Sequence, residues 1–342
     1  LADEYGADAL RFTLAAMAAP GRDIKLATSR VAGYRNFITK LWNAARFAEM
    51  NGCVRVEGFD PATVSGTLAR WIVVEAGRVA GEVAEAIRAY RFNDAAGAVY
   101  RFTWNTFCDW YLELAKPVLM GEDEAAKAEI RATTAWAIDQ ILKILHPFAP
   151  FVTEELWLRT GEAGPAREGL LTHARWPVAV AGDSAAADEI NWLVDLIAAI
   201  RSVRAEMNVP PAALLPLVIV GADDTIRARL VTHDAAIRRL ARIEAVATAD
   251  AAPKAAAQIV LGRTTACLPL AGVIDFAAER ARLEKELGKV KADIARVDAK
   301  LGNPSFIERA PEEIVEQEHE RRTVAEERRA KIEEALGRLQ EA

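Results

Sequence analysis

Residues 34–47 read Tyr34-Arg-Asn-Phe-Ile-Thr-Lys-Leu-Trp-Asn-Ala-Ala-Arg-Phe47. On a helix turning about 100° per residue, Tyr34, Phe37, Ile38, Leu41, Ala44, Ala45 and Ala48 share one apolar face, the pattern of a helix packed on a core. The opposite side carries a narrow stripe, because spacings of four, three and four bring Asn36, Lys40, Asn43 and Phe47 into line, with Arg46 beside them. Phe47 admits two readings. It packs under a neighbouring helix, as most helical phenylalanines do, or it marks a contact surface among amides and cations. Periodicity alone favours the first.

Outward from this helix the pattern stays helical. An opening helix runs from Leu1 to about Ala19 and stops at Pro20-Gly21. Thr28-Ser29 are the expected caps of the helix that contains the stripe, and Asn51-Gly52 its stop. A second long helix is expected from Pro61 to Tyr90. A third, Asn93 to Lys116, ends before Pro117, and its aromatic residues (Tyr100, Phe102, Trp104, Phe107, Trp110, Tyr111) surround the axis, so they are read as core. Helices over about 123–145, 151–159 and 185–207 complete a mainly α, antiparallel helical bundle spanning 1–211, with a loop-like stretch between 161 and 184. After Pro211 the period changes. Strands near 214–220, 244–248, 258–261 and 265–270, with a helix near 223–241, predict a small α+β domain over 212–275.

The C-terminal segment, 276–342, changes again. Leu283, Leu287, Val290, Ile294, Val297 and Leu301 alternate by four and three, an a/d seam. The second arm is poorer: Val315, Ala325, Ile332, Leu336 and Leu339 share their phase with Glu318, Arg322 and Arg329. An antiparallel coiled-coil hairpin with arms of about 37 Å is expected. Arg280, Arg282, Lys285, Lys289, Lys291, Arg296 and Lys300 on its first arm are candidate phosphate contacts. A solvated charged surface is the alternative.

The chain has 342 residues and 52% hydrophobic and 27% charged content, enough for two to three domains of a soluble helical protein. A net charge of −6 excludes a histone-like basic protein but leaves room for a local basic face. The three cysteines and four histidines are scattered and predict neither disulfide nor metal site. No apolar run reaches the roughly 18–20 residues of a membrane span. A cytoplasmic location, no membrane partner and a monomer are expected. The chain starts at Leu1 on a helical pattern, which reads as a piece of something longer. No phosphate loop, nucleophile elbow or Ser/His/Asp grouping stands out, so no catalytic residue is named and a binding role is expected.

Several stretches resemble the C-terminal half of the bacterial valine–tRNA ligase family, class I aminoacyl-tRNA synthetases. They are Tyr5-Gly-Ala-Asp-Ala-Leu-Arg-Phe12, Gly21-Arg-Asp-Ile24, Arg35-Asn-Phe with Lys40-Leu-Trp-Asn-Ala-Ala-Arg-Phe47, Phe102-Thr-Trp-Asn with Phe107-Cys-Asp-Trp-Tyr-Leu-Glu-Leu114, His146-Pro-Phe-Ala-Pro-Phe, Thr153-Glu-Glu-Leu-Trp157, Val203-Arg-Ala-Glu-Met-Asn-Val-Pro-Pro211, Lys300-Leu-Gly-Asn303 with Phe306, and Ala310-Pro311. Single stretches are shared with isoleucine and leucine ligases. Lys25-Leu-Ala-Thr departs from the more acidic or aromatic run expected after Ile24.

The resemblance implies an anticodon-binding domain, with residues 1–27 the end of a junction to an upstream catalytic domain, then a linking domain and a tRNA-binding arm. It carries over Asn36, Lys40, Asn43, Arg46 and Phe47 as anticodon contacts. It implies tRNA as partner, with ATP and Mg2+ used by the parent enzyme and no cofactor in this stretch. The rivals are the matching region of an isoleucine- or leucine-type ligase, or a helical scaffold without RNA.

Overall fold

The computed structural model describes residues 1–18, 24–179, 184–303, 306 and 312–341. The Gly21-Arg-Asp-Ile24 and Ala310-Pro311 motifs fall wholly or mostly outside these, as does the side chain of Leu339. The chain is mainly helical with one small sheet, and it divides into two compact units, Leu1–Asn191 and Trp192–Ala342. Among the described residues no helix is long and apolar enough to cross a membrane.

The first unit opens with α1 (Ala2–Tyr5) and α2 (Ala7–Met17). The predicted single helix is broken at Gly6, whose φ of 92° lies where glycine alone is relaxed. Helix α3 (Thr28–Met50) buries Val31, Phe37, Leu41, Ala44, Ala45 and Ala48. Thr28 and Ser29 lie inside it rather than capping it; Ala27 takes the cap position without a side-chain bond. Its far end closes as expected, Cys53 N donating to Ala48 O at 2.9 Å and Gly52 N to Glu49 O at 3.0 Å, with Gly52 at φ 71°.

Pro61 begins a separate short turn, and α4 (Thr67–Arg88) follows. Its amino terminus is capped from far along the chain. The Glu129 carboxylate accepts from Ser65 N (2.6 Å) and Gly66 N (2.8 Å), an anion at the positive end of a helix.

The third predicted helix departs most from expectation. Helix α5 (Phe92–Tyr100) passes into a π-helical stretch, Arg101–Tyr111, and then α6 (Leu112–Met120), which runs through Pro117. Proline removes one donor, but the helix ends three residues later and buried Leu119 holds its last turn in a cluster with Val64, Ala69, Val73, Ala115 and Ile130. Phe102, Phe107 and Tyr111 are buried, whereas Tyr100, Trp104 and Trp110 are only half-buried, so the all-core reading of these aromatics is corrected.

Helix α7 (Glu124–Leu145), capped by Asp123, and α8 (Pro150–Arg159) complete the packed helices of the first unit. Asp8 bridges its opening and closing parts, its carboxylate accepting from Phe151 N (3.2 Å) and Val152 N (2.6 Å) at the start of α8.

Helix α9 (Ser184–Glu206) crosses the division between the units. It ends with Asn208 at φ 51°, and Val209 N returns to Arg204 O at 2.9 Å. In the second unit β1 (Leu215–Val220), α10 (Asp224–Thr232), α11 (Asp234–Ala241), β2 (Ile243–Ala249), β3 (Ala256–Leu261) and β4 (Thr264–Pro269) form a sheet ordered β2-β1-β4-β3. The β1–β2 pair is parallel and the others antiparallel. Buried Arg204 donates to Ala213 O at 2.8 Å, pinning α9 to the entry of β1.

Helices α12 (Phe276–Leu301) and α13 (Glu312–Glu341) pack on each other, and α12 is capped by Asp275. Leu283, Val290, Ile294 and Val297 are buried on α12, and Ala325, Ile332 and Ala335 on α13. Their ion pairs fix the direction. Lys300 meets Glu318 (2.7 Å), Asp293 meets Arg321 (2.6 Å) and Glu286 meets Arg328 (2.6 Å), so the helices run antiparallel. Of the polar residues on the seam's phase, Glu318 meets Lys300 through Oε1 and Arg322 meets Asp298 at 2.6 Å, while Glu318 Oε2 and Arg329 Nε are buried without a hydrogen-bond partner among the described residues.

Candidate nucleic-acid interface

The α3 stripe divides into two environments. Asn36 and Asn43 are exposed, while Lys40 and Phe47 are half-buried. Lys40 Nζ lies 2.5 Å from Asp109 Oδ1 and 3.9 Å from the Trp104 ring centroid. Trp104 in turn stacks on Tyr100, with centroids 5.7 Å apart and planes inclined by 16°. That aromatic run continues inward through Phe37, 4.9 Å from Tyr100, to Phe12, 5.1 Å from Phe37. Lys40 therefore stands at the solvent end of an aromatic ladder rooted in the core.

The π-helical stretch makes this meeting possible. In an α-helix, residues five apart point about 140° away from each other. Bonding from residue i to i+5 widens the turn so that residues four and five apart stack on one side. Tyr100, Trp104 and Asp109 have those spacings, and two of them reach Lys40. A reading at α-helical period separates Trp104 from Asp109, so the pair is not legible at that period.

Phe47 sits between its two readings. Its ring packs against the cluster of Val64, Ala69, Val73, Ala115, Leu119 and Ile130, and Lys116 Nζ lies 5.5 Å from its centroid. Arg46 is exposed on a different flank of α3, where with Glu49, Cys53, Arg55 and Arg159 it lines a cavity of about 220 Å³. The structure thus brings Lys40 to Trp104 and Asp109 and leaves Arg46 outside that group. The cysteines nearby are held as neutral thiols: burial pushes Cys53 up to about 11 and Cys108 up to about 12. Among the described residues no group of three or more His, Cys, Asp and Glu is arranged to hold a metal.

In the second unit, the groove between α12 and α13 encloses about 910 Å³. Arg282, Lys285, Lys289 and Arg296 line it from α12, and Arg321 and Arg328 from α13, against three carboxylates, Glu286, Asp293 and Glu320. Arg321 and Arg328 lie outside the phosphate-contact candidates, all of which are on the first arm. The seven-residue spacing of Arg321 and Arg328, one heptad, was the available signal. Four of the first-arm candidates are compensated: Arg282 pairs with Glu286 (2.9 Å) and Arg296 with Asp293 (3.5 Å) on the same helix, and Lys291 with Glu333 (3.2 Å) and Lys300 with Glu318 across the groove. Arg280 is exposed.

Residues 69–219 match the family described as the anticodon-binding domain of tRNA ligase, and residues 275–340 the valyl tRNA synthetase tRNA binding arm. Over the whole chain the sequence is 58% identical to a valine–tRNA ligase of Rhizobium meliloti and 57% identical to one of Rhodopseudomonas palustris. It belongs to the valine–tRNA ligase family. A relative from Caulobacter vibrioides is 56% identical over 99% of the chain. The chain spans only 36%, 39% and 38% of the lengths of these three valine–tRNA ligases, so it corresponds to a little over a third of such a protein. The match to the arm begins at Asp275, the residue that caps α12. The anticodon-domain match begins at Ala69 and takes in the π-helical stretch but not α3.

Proposed function

We propose that this chain is the tRNA-binding portion of a valine–tRNA ligase. Residues 1–211 hold the anticodon, 212–275 link, and 276–342 form a coiled-coil arm that touches the outer corner of the tRNA. The parent enzyme attaches valine to its tRNA with ATP and hydrolyses mischarged tRNA. ATP and Mg2+ act in an upstream domain on this reading, and no residue here is assigned to them. The protein is placed in the cytoplasm as a monomer.

The observation that carries the reading is the α12–α13 groove, where six cations face three carboxylates within the segment that matches a tRNA-binding arm. An excess of cations along a groove attracts a phosphate backbone even in a chain of net charge −6. The α3 face adds what an unpaired loop needs, amides and a lysine beside an aromatic ring.

A filter-binding titration of the purified chain with valine tRNA at two salt concentrations tests it. Binding that weakens steeply with salt is expected. Absence of binding at low salt returns the chain to a helical scaffold without RNA.

A further inference from the structure

We infer that Trp104 and Asp109 are positioning residues that convert Lys40 from a phosphate-neutralising cation into an aimed hydrogen-bond donor for a base edge of unpaired RNA. This rests on the reading of α3 as the anticodon-binding face.

Three observations carry it. First, the charge of Lys40 is already compensated: its ammonium is 2.5 Å from Asp109 Oδ1, with side-chain exposures of 27% and 47%. A paired cation releases few counterions on meeting a phosphate, so it contributes little to salt-dependent affinity. Second, its direction is set. The ammonium has three donors; one is spent on Asp109, and the flank is held over Trp104 at 3.9 Å. A lysine on a flexible stem costs rotamer entropy each time it reaches a ligand, and the two contacts meet part of that cost beforehand. Third, the holder is rooted. Trp104 stacks on Tyr100, which packs on Phe37, fully buried in the core.

The placement of Trp104 and Asp109 on one side depends on the π-helical turn between them, a geometry that occurs frequently at functional sites. Trp104 is not itself the stacking surface for a base, since its ring is engaged by Tyr100 and by Lys40. The ligand implied is an unpaired nucleotide that offers a carbonyl oxygen or ring nitrogen, and the phosphates are left to other cations.

The test uses the full chain and two RNAs: the anticodon stem-loop of a valine tRNA, and the same stem-loop with abasic loop positions. Wild type is expected to prefer the intact loop. Trp104→Leu and Asp109→Asn are expected to weaken binding to the intact loop about tenfold, the loss of one aimed charge-assisted hydrogen bond. For Trp104→Leu, affinity for the abasic loop and the slope of log affinity against log salt stay unchanged, whereas Asp109→Asn, which frees the Lys40 charge, steepens that slope by up to roughly 0.7 to 0.9. Trp104→Tyr, which keeps a ring beneath the ammonium, restores most of the preference. If Lys40→Ala instead weakens both RNAs equally and lowers the slope by roughly 0.7 to 0.9, Lys40 neutralises a phosphate and the inference is overturned. If Asp109→Asn and Trp104→Leu bind as wild type, they are structural only and it is likewise overturned. A wild-type chain that binds both RNAs equally removes the anticodon reading itself, an outcome separate from the variant patterns.

Discussion

Arg167 and Asp139 form a bidentate ion pair, Nη1 to Oδ2 at 2.8 Å and Nη2 to Oδ1 at 2.9 Å, with side-chain exposures of 7% and 13%. The same guanidinium lies 3.5 Å from the Trp157 ring centroid, and its Nε donates to Trp157 O. One side chain therefore fastens the loop after α8 to α7. Removing it leaves a buried carboxylate without its cation, so Arg167→Ala is expected to cost about 3–5 kcal/mol. Urea unfolding followed by tryptophan fluorescence checks this. A loss below about 1 kcal/mol, the range of an exposed pair, contradicts it. Asp139→Leu combined with Arg167→Met should recover much of the loss, because no unpaired charge remains.

Phe47 is expected to matter twice over. Its half-buried ring packs on the Ala115–Leu119 cluster, so Phe47→Ala should cost about 1.5–2.5 kcal/mol, half of the usual cost for a fully buried ring. Phe47→Leu keeps most of the apolar contact but cannot stack. A Leu variant with near-normal melting and weakened binding to the anticodon stem-loop fits a base stack, worth roughly 1–3 kcal/mol. Full binding by that variant makes Phe47 a packing residue only.

On the arm, compensation sorts the lysines. Lys285 and Lys289 line the groove and make no ion pair among the described residues, whereas Lys291 and Lys300 are paired with Glu333 and Glu318. Each of Lys285→Ala and Lys289→Ala should lower the salt slope of tRNA binding by up to roughly 0.9, and Lys291→Ala and Lys300→Ala by less. Titrations at several salt concentrations give the slopes. Equal slopes for all four variants would mean that the groove is not the face that meets the phosphates.

These contrasts show what periodicity reaches. The α3 face and the Asn51-Gly52 stop are local patterns, and Phe37, Leu41, Ala44, Ala45 and Ala48 are buried where the spacing puts them, as are Leu283, Val290, Ile294 and Val297 on α12, with Tyr34, Ile38 and Leu287 only half-buried. The return of Val209 to Arg204 is equally local. What stayed hidden is non-local or off-period. Glu129 caps a helix more than sixty residues earlier in the chain, and Arg167 finds Asp139 across a loop, neither of which leaves a spacing to read. The Trp104–Asp109 pair is legible only at a π-helical period, and Arg46 parted from the stripe because one step around a helix opens onto a different cavity.

His146 Nδ1 is 2.8 Å from Thr153 Oγ1, and that hydroxyl donates to Ala149 O at 2.7 Å. With its hydrogen spent, Thr153 accepts from His146, so Nδ1 carries a hydrogen. Burial lowers the His146 pKa, and Glu154, with Oε2 4.0 Å from Nε2, and Asp8 offset part of that lowering. The folded state then binds fewer protons than the unfolded chain in the window just below the ordinary histidine value of about 6.5. Stability therefore rises with pH there, and it is lost as pH falls through about 6.5 until the lowered folded-state value is reached. His146→Asn, whose amide nitrogen stands as far from the backbone as Nδ1 and keeps a donor for Thr153 without a titrating ring, should flatten the dependence of melting temperature on pH between about 7.5 and about 5.5. If wild type and variant lose stability in parallel over that window, the acid sensitivity arises from other groups.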